Sequence, residues 1–236
     1  MYIYGKNVAR EKLSTNESII KAYVSKKFRE QSIIDDLKRK NIRINFVDSK
    51  VLDQKVDGLH QGIILEVEEV KTYTLDELFS KIKNKSNPLV VMLDHLEDPH
   101  NFGAIIRTCE ALGIDGIIIP NDRSVGITGT VIKTSAGAIS YTYIVRVPNL
   151  ANTIEKLKKN NFWIVGTDMC GINYTKIDYN VPVCLVIGNE GKGMSKIIKD
   201  NCDFIATIPM IGQINSLNAS VSCGIVLSHI VSSRCL

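Results

Sequence analysis

The stretch that decides the fold is VCLVIGNEGKGMS (residues 183–195), followed after a spacer by TIPMIGQINSLNAS (residues 207–220). Each half begins with apolar residues and passes directly into a loop. The run from Cys184 to Ile187 is typical of a strand that is covered on both faces, and Phe204–Ile208 predicts a second strand. Two such strand exits, rich in Gly, Asn and Ser, indicate a small-molecule site.

The glycines of the first loop do not form a known nucleotide fingerprint. Gly188, Gly191 and Gly193 are spaced G-x-x-G-x-G, whereas dinucleotide-binding loops have the order G-x-G-x-x-G. Lys192 is followed by Gly193, so the loop lacks the Ser or Thr of a phosphate-binding P-loop. From these residues alone, a pair of turns with a solvated Glu190 remains an alternative to a binding site.

Composition places the chain among ordinary globular proteins. Of its 236 residues, 44% are hydrophobic and 23% are charged, and its net charge is only +4. Charge is concentrated between Lys21 and Arg43, where eight Lys or Arg residues stand against three acidic residues, a net +5. Either a solvated helix face or an RNA-facing patch accounts for that segment.

The six cysteines form no C-x-x-C pair, and several lie in apolar runs. We therefore expect no metal site and no disulfide framework, which favours a reducing cytoplasm. Residues 1–5 do not resemble a signal peptide, and no apolar run approaches the ~18 residues of a membrane span.

Hydrophobic patterning divides the chain into two α/β domains. Residues 1–70 predict a compact unit with a helix from Phe28 to Lys40, and residues 71–87 predict a linker that contains a short helix. From residue 88 to 236 strands and helices alternate, which indicates a parallel sheet with helices on both faces. The predicted strands are Ile19–Val24, Ile44–Val47, Gly62–Val67, Leu89–Leu93, Gly116–Ile119, Tyr143–Val147, Phe162–Thr167, Cys184–Ile187 and Phe204–Ile208.

The strand Leu89–Leu93 leads into a loop that contains many polar side chains. We expect a helix from Asn101 to Leu112 that Asn101 caps. Arg107 lies within two turns of that start, and its guanidinium is suited to binding phosphate or carboxylate. An N-cap and a surface arginine would account for the same residues without any function.

Three segments taken in order carry a resemblance to a known family. They are DPHNFGAIIRT (98–108), VIGNEGKGM (186–194) and IPMIGQINSLNASV (208–221). Together they resemble the three motifs of the SpoU (TrmH-type) RNA 2′-O-ribose methyltransferases of the SPOUT superfamily. The segments IYG (3–5), DGLHQGI (57–63) and WIVGT (163–167) resemble the branch that modifies a guanosine in large-subunit ribosomal RNA.

The resemblance implies a fold, a cofactor and a set of site residues. The fold is a small N-terminal L30e-like RNA-binding domain, followed by a parallel α/β domain with a C-terminal trefoil knot. The knot loops hold S-adenosylmethionine, and the domain forms a homodimer. The matching catalytic residues are Asn101, Arg107, Glu190 and Asn218, and the matching cofactor-binding residues are Thr167, Gly188, Gly193, Ile208, Met210, Ser216 and Leu217.

The implied reaction is methyl transfer from S-adenosylmethionine to the ribose 2′-hydroxyl of a guanosine in 23S ribosomal RNA. Two alternatives are the same chemistry on transfer RNA and a non-catalytic RNA-binding protein of the same fold. Arginine is almost always protonated, so Arg107 suits phosphate binding and charge stabilisation better than proton abstraction. The proton acceptor remains open among Glu190, water and a perturbed Arg107.

Overall fold

A computed structural model describes residues 1–14, 19–67, 70–213 and 216–234. The chain divides into two compact units, Met1–Val70 and Lys71–Leu236. Of the sequence motifs discussed above, only Ile214 and Asn215 lie outside the described residues.

The first unit contains a four-stranded mixed sheet in the order β1-β4-β2-β3. Strands β2 and β3 are parallel, and β4 pairs antiparallel with both β1 and β2. Helices α1 and α2 bury one face of the sheet around Val24, Ile33 and Leu37, while α3 covers part of the other face through Leu52. The elements are β1 (Tyr2–Tyr4), α1 (Lys6–Ser14), β2 (Ile19–Ser25), α2 (Gln31–Arg39), β3 (Arg43–Val47), α3 (Ser49–Asp53) and β4 (Ile63–Val67).

The second unit contains a six-stranded sheet. Its elements, in chain order, are α4 (Leu75–Ile82), β5 (Leu89–Leu93), α5 (Pro99–Ala111), β6 (Gly116–Pro120), α6 (Gly129–Thr134), β7 (Ile144–Val147), α7 (Leu150–Lys159), β8 (Trp163–Asn173), β9 (Val183–Ile187), α8 (Lys196–Asp200), β10 (Phe204–Thr207) and α9 (Ala219–Arg234).

All neighbouring strands of this sheet are parallel, in the order β10-β8-β9-β5-β6-β7. The central strands β5 and β9 are buried along their whole length, as their continuous apolar sequences predict. Because the strands are parallel, their carboxyl ends meet at one edge of the sheet. The loops that follow β5, β8, β9 and β10 therefore open at the same edge.

Segment 71–87 is part of the second unit, although its composition suggested a linker. Leu75, Leu78 and Ile82 of α4 lie in the main hydrophobic core, and Tyr73 exchanges two backbone hydrogen bonds with β7. The amphipathic pattern of α4 correctly predicted a helix. It did not show where the apolar face of that helix would pack.

The predicted helix start at Asn101 was wrong. Helix α5 begins at Pro99, and the Asp98 side chain caps it by accepting a hydrogen bond from the backbone N–H of His100. Proline suits the first helical position because its fixed φ is already helical. Asn101 is therefore inside the helix, and its side chain is free for another role.

Other boundaries also differ from the predicted ones. Helix α2 begins at Gln31 rather than Phe28, and β8 extends to Asn173 rather than Thr167. The sequence analysis missed β1, α1, α3 and α8, most of which are short. No helix in the described part of the chain is long and apolar enough to cross a membrane. The trefoil knot implied by the family resemblance stays a prediction.

Candidate active site

Asp94 joins the loop after β5 to the loop after β9. It directly follows β5, and its side chain is almost fully buried. Its Oδ2 accepts a hydrogen bond of 2.6 Å from the backbone N–H of Ser195, and its Oδ1 lies 2.6 Å from Nδ1 of His95. A buried carboxylate needs such partners, so this contact fixes the relative position of the two loops.

The loop after β9 is a tight turn closed by its own backbone. Asn189 and Gly193 exchange two backbone hydrogen bonds, and Gly193 has a left-handed φ of +66°. A Cβ atom on Gly188 would lie 2.4 Å from the carbonyl carbon of Gly193, so a larger residue would disrupt the turn. The Asn189 amide also donates to the carbonyl of His95 at 2.9 Å, which ties this loop to the preceding one.

Three polar side chains form a continuous hydrogen-bonded chain, which we call the polar chain: Glu190, Asn101 and Asn218. Asn101 Nδ2 donates to Glu190 Oε1 at 3.0 Å, and Asn218 Nδ2 donates to Asn101 Oδ1 at 2.8 Å. These residues are 89 and 117 positions apart in the sequence. The polar chain therefore joins the loop after β9, the first turn of α5 and the residue before α9.

Both ends of the polar chain are held by backbone groups. Glu190 accepts hydrogen bonds from the backbone N–H groups of Glu97, at 3.4 Å, and Asp98, at 3.2 Å. Asn218 Oδ1 accepts from the backbone N–H and the hydroxyl of Ser220 in the first turn of α9. With its acceptors engaged in this way, Glu190 positions the first loop and Asn101.

Arg107 lies apart from the polar chain. Its side chain is exposed, and within the described residues it makes no hydrogen bond or ion pair. One helical turn before Arg107, Gly103 packs closely against α6. A Cβ atom added to Gly103 would lie 2.6 Å from the Cβ of Thr134. Of the four predicted catalytic residues, the structure thus brings together Asn101, Glu190 and Asn218 and leaves Arg107 on an open surface.

The predicted cofactor-binding residues lie within β8 and around the ends of β9 and β10. The Thr167 hydroxyl donates to the carbonyl of Val186 at 3.1 Å, so it helps to hold β8 against β9. Met210 and Leu217 are 39% and 40% exposed despite being apolar. Ile208 is half-buried, Ser216 is exposed, and Gly188 and Gly193 form the turn described above. This set offers main-chain groups, two hydroxyls and apolar side chains but no charged side chain, which suits the flat ring and the polar edges of an adenosine moiety.

Sequence reasoning missed Asp94, His95 and Asn189 as parts of the site. One signal was available, because an aspartate directly after a buried strand must either reach solvent or find a partner. That partner is the backbone N–H of Ser195. It is 101 residues away in the sequence, so spacing could not identify it. Within the described residues, no cluster of His, Cys, Asp and Glu is arranged to hold a metal ion.

Comparisons with known families identify the family of this chain. Residues 88–228 match the SpoU rRNA methylase family, and residues 2–73 match a family described as RNA 2′-O ribose methyltransferase substrate binding. The chain belongs to the SpoU rRNA methylase family. It is therefore an RNA methyltransferase, as the three sequence motifs predicted.

Relatives align with this chain over almost its whole length. The Bacillus subtilis protein YacO, whose name assigns it to the TrmH family of tRNA/rRNA methyltransferases, is 41% identical over 99% of this chain and 96% of its own. A protein of Staphylococcus aureus (strain COL) assigned to the same family is 39% identical over 98% of this chain and 96% of its own.

Solved structures share the fold. The SpoU methyltransferase AviRb from Streptomyces viridochromogenes, crystallised with AdoMet, aligns with a TM-score of 0.72 and 23% identity over all of this chain and 90% of its own. A TrmH/SpoU tRNA modifying enzyme from A. aeolicus aligns with a TM-score of 0.59 and 31% identity, covering 68% of this chain and 82% of its own. The first of these comparisons confirms the predicted fold class, in which an α/β domain with a parallel sheet follows a separate N-terminal domain in the sequence.

Proposed function

We propose that this methyltransferase transfers a methyl group from S-adenosylmethionine to the ribose 2′-hydroxyl of a guanosine in 23S ribosomal RNA. The observation that carries the proposal is the polar chain of Glu190, Asn101 and Asn218 at the carboxyl edge of the sheet. The three residues that match the family's catalytic set lie side by side there, although 89 and 117 positions separate them in the sequence. The match of residues 2–73 to an RNA substrate-binding family supports RNA as the substrate.

S-adenosylmethionine, when bound, supplies an activated methyl group on a sulfonium. Gly188, Ile208 and Leu217 would contact it largely through their backbones. Thr167, Gly193, Met210 and Ser216 would complete the pocket. The exposed apolar side chains of Met210 and Leu217 support this assignment, because a ligand would remove them from water.

Arg107 and the polar chain have different roles in the proposal. Arg107 is exposed and has no partner in the described part of the chain, so its five N–H donors are available to an RNA phosphate and to the reacting oxygen. Asn101 and Asn218 fix the surface against which the ribose is aligned, and Glu190 is a positioning residue. Alignment of the 2′-oxygen with the methyl donor supplies much of the rate gain.

Residues 1–70 would recognise the RNA. On the sheet face opposite α1 and α2, Tyr2, Glu66, Lys21 and Arg43 follow one another across β1, β4, β2 and β3. Lys55 Nζ lies 5.0 Å from the ring centre of Tyr2 and 4.2 Å from that of Tyr23. We call these residues the aromatic–basic surface: Tyr2, Lys21, Tyr23, Arg43, Lys55 and Glu66. Cations beside aromatic rings can bind both phosphates and unpaired bases.

Some basic residues on the α1–α2 side of this unit are paired with carboxylates. Glu30 pairs with both Lys6 and Arg10, and Arg39 pairs with Asp36. By contrast, Lys21, Arg43 and Lys55 have no carboxylate partner within the described residues. The aromatic–basic surface therefore supports the proposed role better than the helix α2 does.

The second unit would form the homodimer. Ile211, before α9, and Val221, in its first turn, are exposed apolar residues, with Ile211 fully exposed. A second copy would cover them and bring Arg107 of one protomer near the site of its partner. Mixing Arg107→Ala with Glu190→Ala protomers tests this arrangement. Activity returns in mixed dimers if one site uses both chains, and stays absent if each site uses one chain.

The decisive experiment is methyl transfer by the purified protein from radiolabelled S-adenosylmethionine to 23S ribosomal RNA and, separately, to total transfer RNA. We expect label in the ribosomal RNA, and an alkali-resistant linkage at one guanosine that is absent from cells lacking the protein. Label in transfer RNA alone would establish the second candidate, which the tRNA/rRNA names of the relatives keep open. Absence of label in both would contradict the proposal.

A further inference from the structure

An open cavity of about 430 Å³ lies beside the polar chain, lined by Glu97, Arg123, Ser124 and Val125. Two hydrogen bonds build its wall, since the Val125 N–H donates to the carbonyl of Leu96 at 2.7 Å and the Ser124 hydroxyl donates to the same carbonyl at 3.1 Å. The cavity is thus formed between the loop after β5 and the loop after β6. Its volume is within the range of small-molecule sites.

The cavity and the polar chain share one loop. The backbone N–H groups of Glu97 and Asp98 bind the carboxylate of Glu190, which in turn binds Asn101. Glu97 lines the cavity, and its backbone N–H belongs to the polar chain. None of the seven residues proposed to bind the cofactor lines the cavity, so it is free for a different ligand.

Glu97 and Arg123 both line the cavity without pairing with each other. Both residues are exposed, and neither side chain makes a hydrogen bond or ion pair within the described residues. A carboxylate therefore offers only acceptors, and a guanidinium only donors, to whatever enters. Guanine has the complementary edges, because N1–H and N2–H₂ are donors while O6 and N7 are acceptors.

We propose that this cavity binds the guanine base of the target nucleotide. Glu97 accepts hydrogen bonds from N1–H and N2–H₂, and Arg123 donates to O6 or N7. Adenine would place the acceptor N1 against the Glu97 carboxylate, and it has no amino group at position 2. The inference rests on the proposed function, and it assigns the choice of base to residues outside the polar chain.

The test compares target RNAs that differ only in the reacting nucleotide, which is guanosine, inosine or adenosine. Inosine lacks only the N2 amino group and keeps O6, N1–H and N7. The wild-type protein is expected to prefer guanosine over inosine by roughly tenfold to a hundredfold in kcat/KM, since that is the discrimination one good base contact supplies. Adenosine should be a poorer substrate than inosine.

Two variants separate the roles of the two side chains. Glu97→Ala should abolish the preference for guanosine over inosine. Arg123→Ala should lower kcat/KM for both RNAs about equally and keep their ratio, because both bases carry O6 and N7. The control is Glu110→Ala, which removes an exposed carboxylate from α5 that does not line the cavity, and it should change neither value.

Calorimetric binding of S-adenosylmethionine completes the test. Wild type and Glu97→Ala should bind it equally, and weaker binding by the variant would assign the cavity to the cofactor and overturn the inference. An unchanged guanosine-to-inosine ratio in Glu97→Ala would overturn it as well, while methylation of guanosine by wild type would leave the proposed function standing. Inactivity of the wild type on every RNA would instead remove the proposed function, and the inference with it.

Discussion

The two units of this chain place their polar groups in opposite ways. In the first unit, Lys21, Arg43 and Lys55 lie on the side of the sheet opposite α1 and α2, and none of them forms an ion pair within the described residues. The two lysines lie beside the ring of Tyr23. In the second unit, Asn101 is buried and joins Glu190 and Asn218 at the edge where parallel strands end. One unit offers unpaired charge to a large partner, and the other holds its polar groups in fixed positions.

This difference indicates that the first unit contributes RNA affinity and the second unit contributes the methyl-transfer chemistry. Exposed cations act over several ångströms, tolerate small changes in position and weaken with salt. A chain of hydrogen bonds between fixed side chains acts only at contact distance and loses function when one member moves. We therefore expect changes in the first unit to affect RNA affinity and changes in the second unit to affect turnover or folding.

The largest effect should come from removing the first unit. A fragment of residues 71–236 retains α4 and the whole core of the second unit, so we expect it to fold. Its kcat/KM on ribosomal RNA should fall by about a thousandfold, because several phosphate contacts are lost together. Its affinity for S-adenosylmethionine, measured by calorimetry, should equal that of the full chain.

A fragment that begins at residue 88 is the matched control for this boundary. It lacks Leu75, Leu78 and Ile82, which belong to the core, and we expect it to be insoluble or to melt at a much lower temperature. Full activity of the 71–236 fragment on ribosomal RNA would show that the first unit does not provide the affinity.

The next largest effect should come from Arg107→Ala. Removing one charged donor from the reacting oxygen should slow methyl transfer by about a hundredfold, or ~3 kcal/mol. Stability should change by less than ~0.5 kcal/mol, because the side chain is exposed and has no partner in the described part of the chain. Single-turnover kinetics and a thermal melt measure the two quantities.

Arg107→Lys is the informative companion to that variant. Lysine keeps the charge but lacks the planar fork, so little of the rate should return. Near-normal turnover by Arg107→Ala would show that the exposed arginine only decorates α5, and that the polar chain accounts for the chemistry without it.

Asn101→Ala should slow turnover less than Arg107→Ala does, and it should also weaken folding. The change removes the middle of the polar chain and leaves the Asn218 amide without its acceptor and Glu190 without one of its donors. We expect a loss of ~1–3 kcal/mol in the free energy of unfolding, measured by urea denaturation. The control is Ala104→Ser, three residues later in the same helix and outside the polar chain. It should change the free energy of unfolding by much less.

The sequence predicted the elements better than it predicted their contacts. The strands β5, β6 and β9 could be located closely because each is a continuous apolar run bounded by Gly, Pro, Asn or Asp. Helix α5 was found, but its start was displaced because an Asx cap at Asp98 and a proline at the first position outweighed the capping preference of Asn101.

For the site as well, the sequence predicted residues better than their contacts. The ordered motifs identified Asn101, Glu190 and Asn218, yet nothing in their spacing showed that they bond to one another rather than act separately. That information depends on the parallel order of β5 and β9 and on the return of the chain to α9, which are properties of topology. Arg107 was named beside them, although a six-residue separation from Asn101 turns it toward another side of the helix.

The smallest effect should come from single lysines of the first unit, and it tests whether the aromatic–basic surface or the helix α2 contacts RNA. Lys55→Ala removes a cation that lies over Tyr2 and Tyr23, whereas Lys38→Ala removes an exposed cation from α2. We expect the first variant to weaken RNA binding about fivefold and to reduce the salt dependence of log K by about one counterion, because one phosphate contact is lost. Lys38→Ala should bind RNA like wild type at every salt concentration. Fluorescence anisotropy with a labelled ribosomal RNA fragment at several salt concentrations measures both values. Turnover at saturating RNA should be unchanged in either variant. If Lys38→Ala weakened binding and Lys55→Ala did not, α2 would be the surface that contacts RNA.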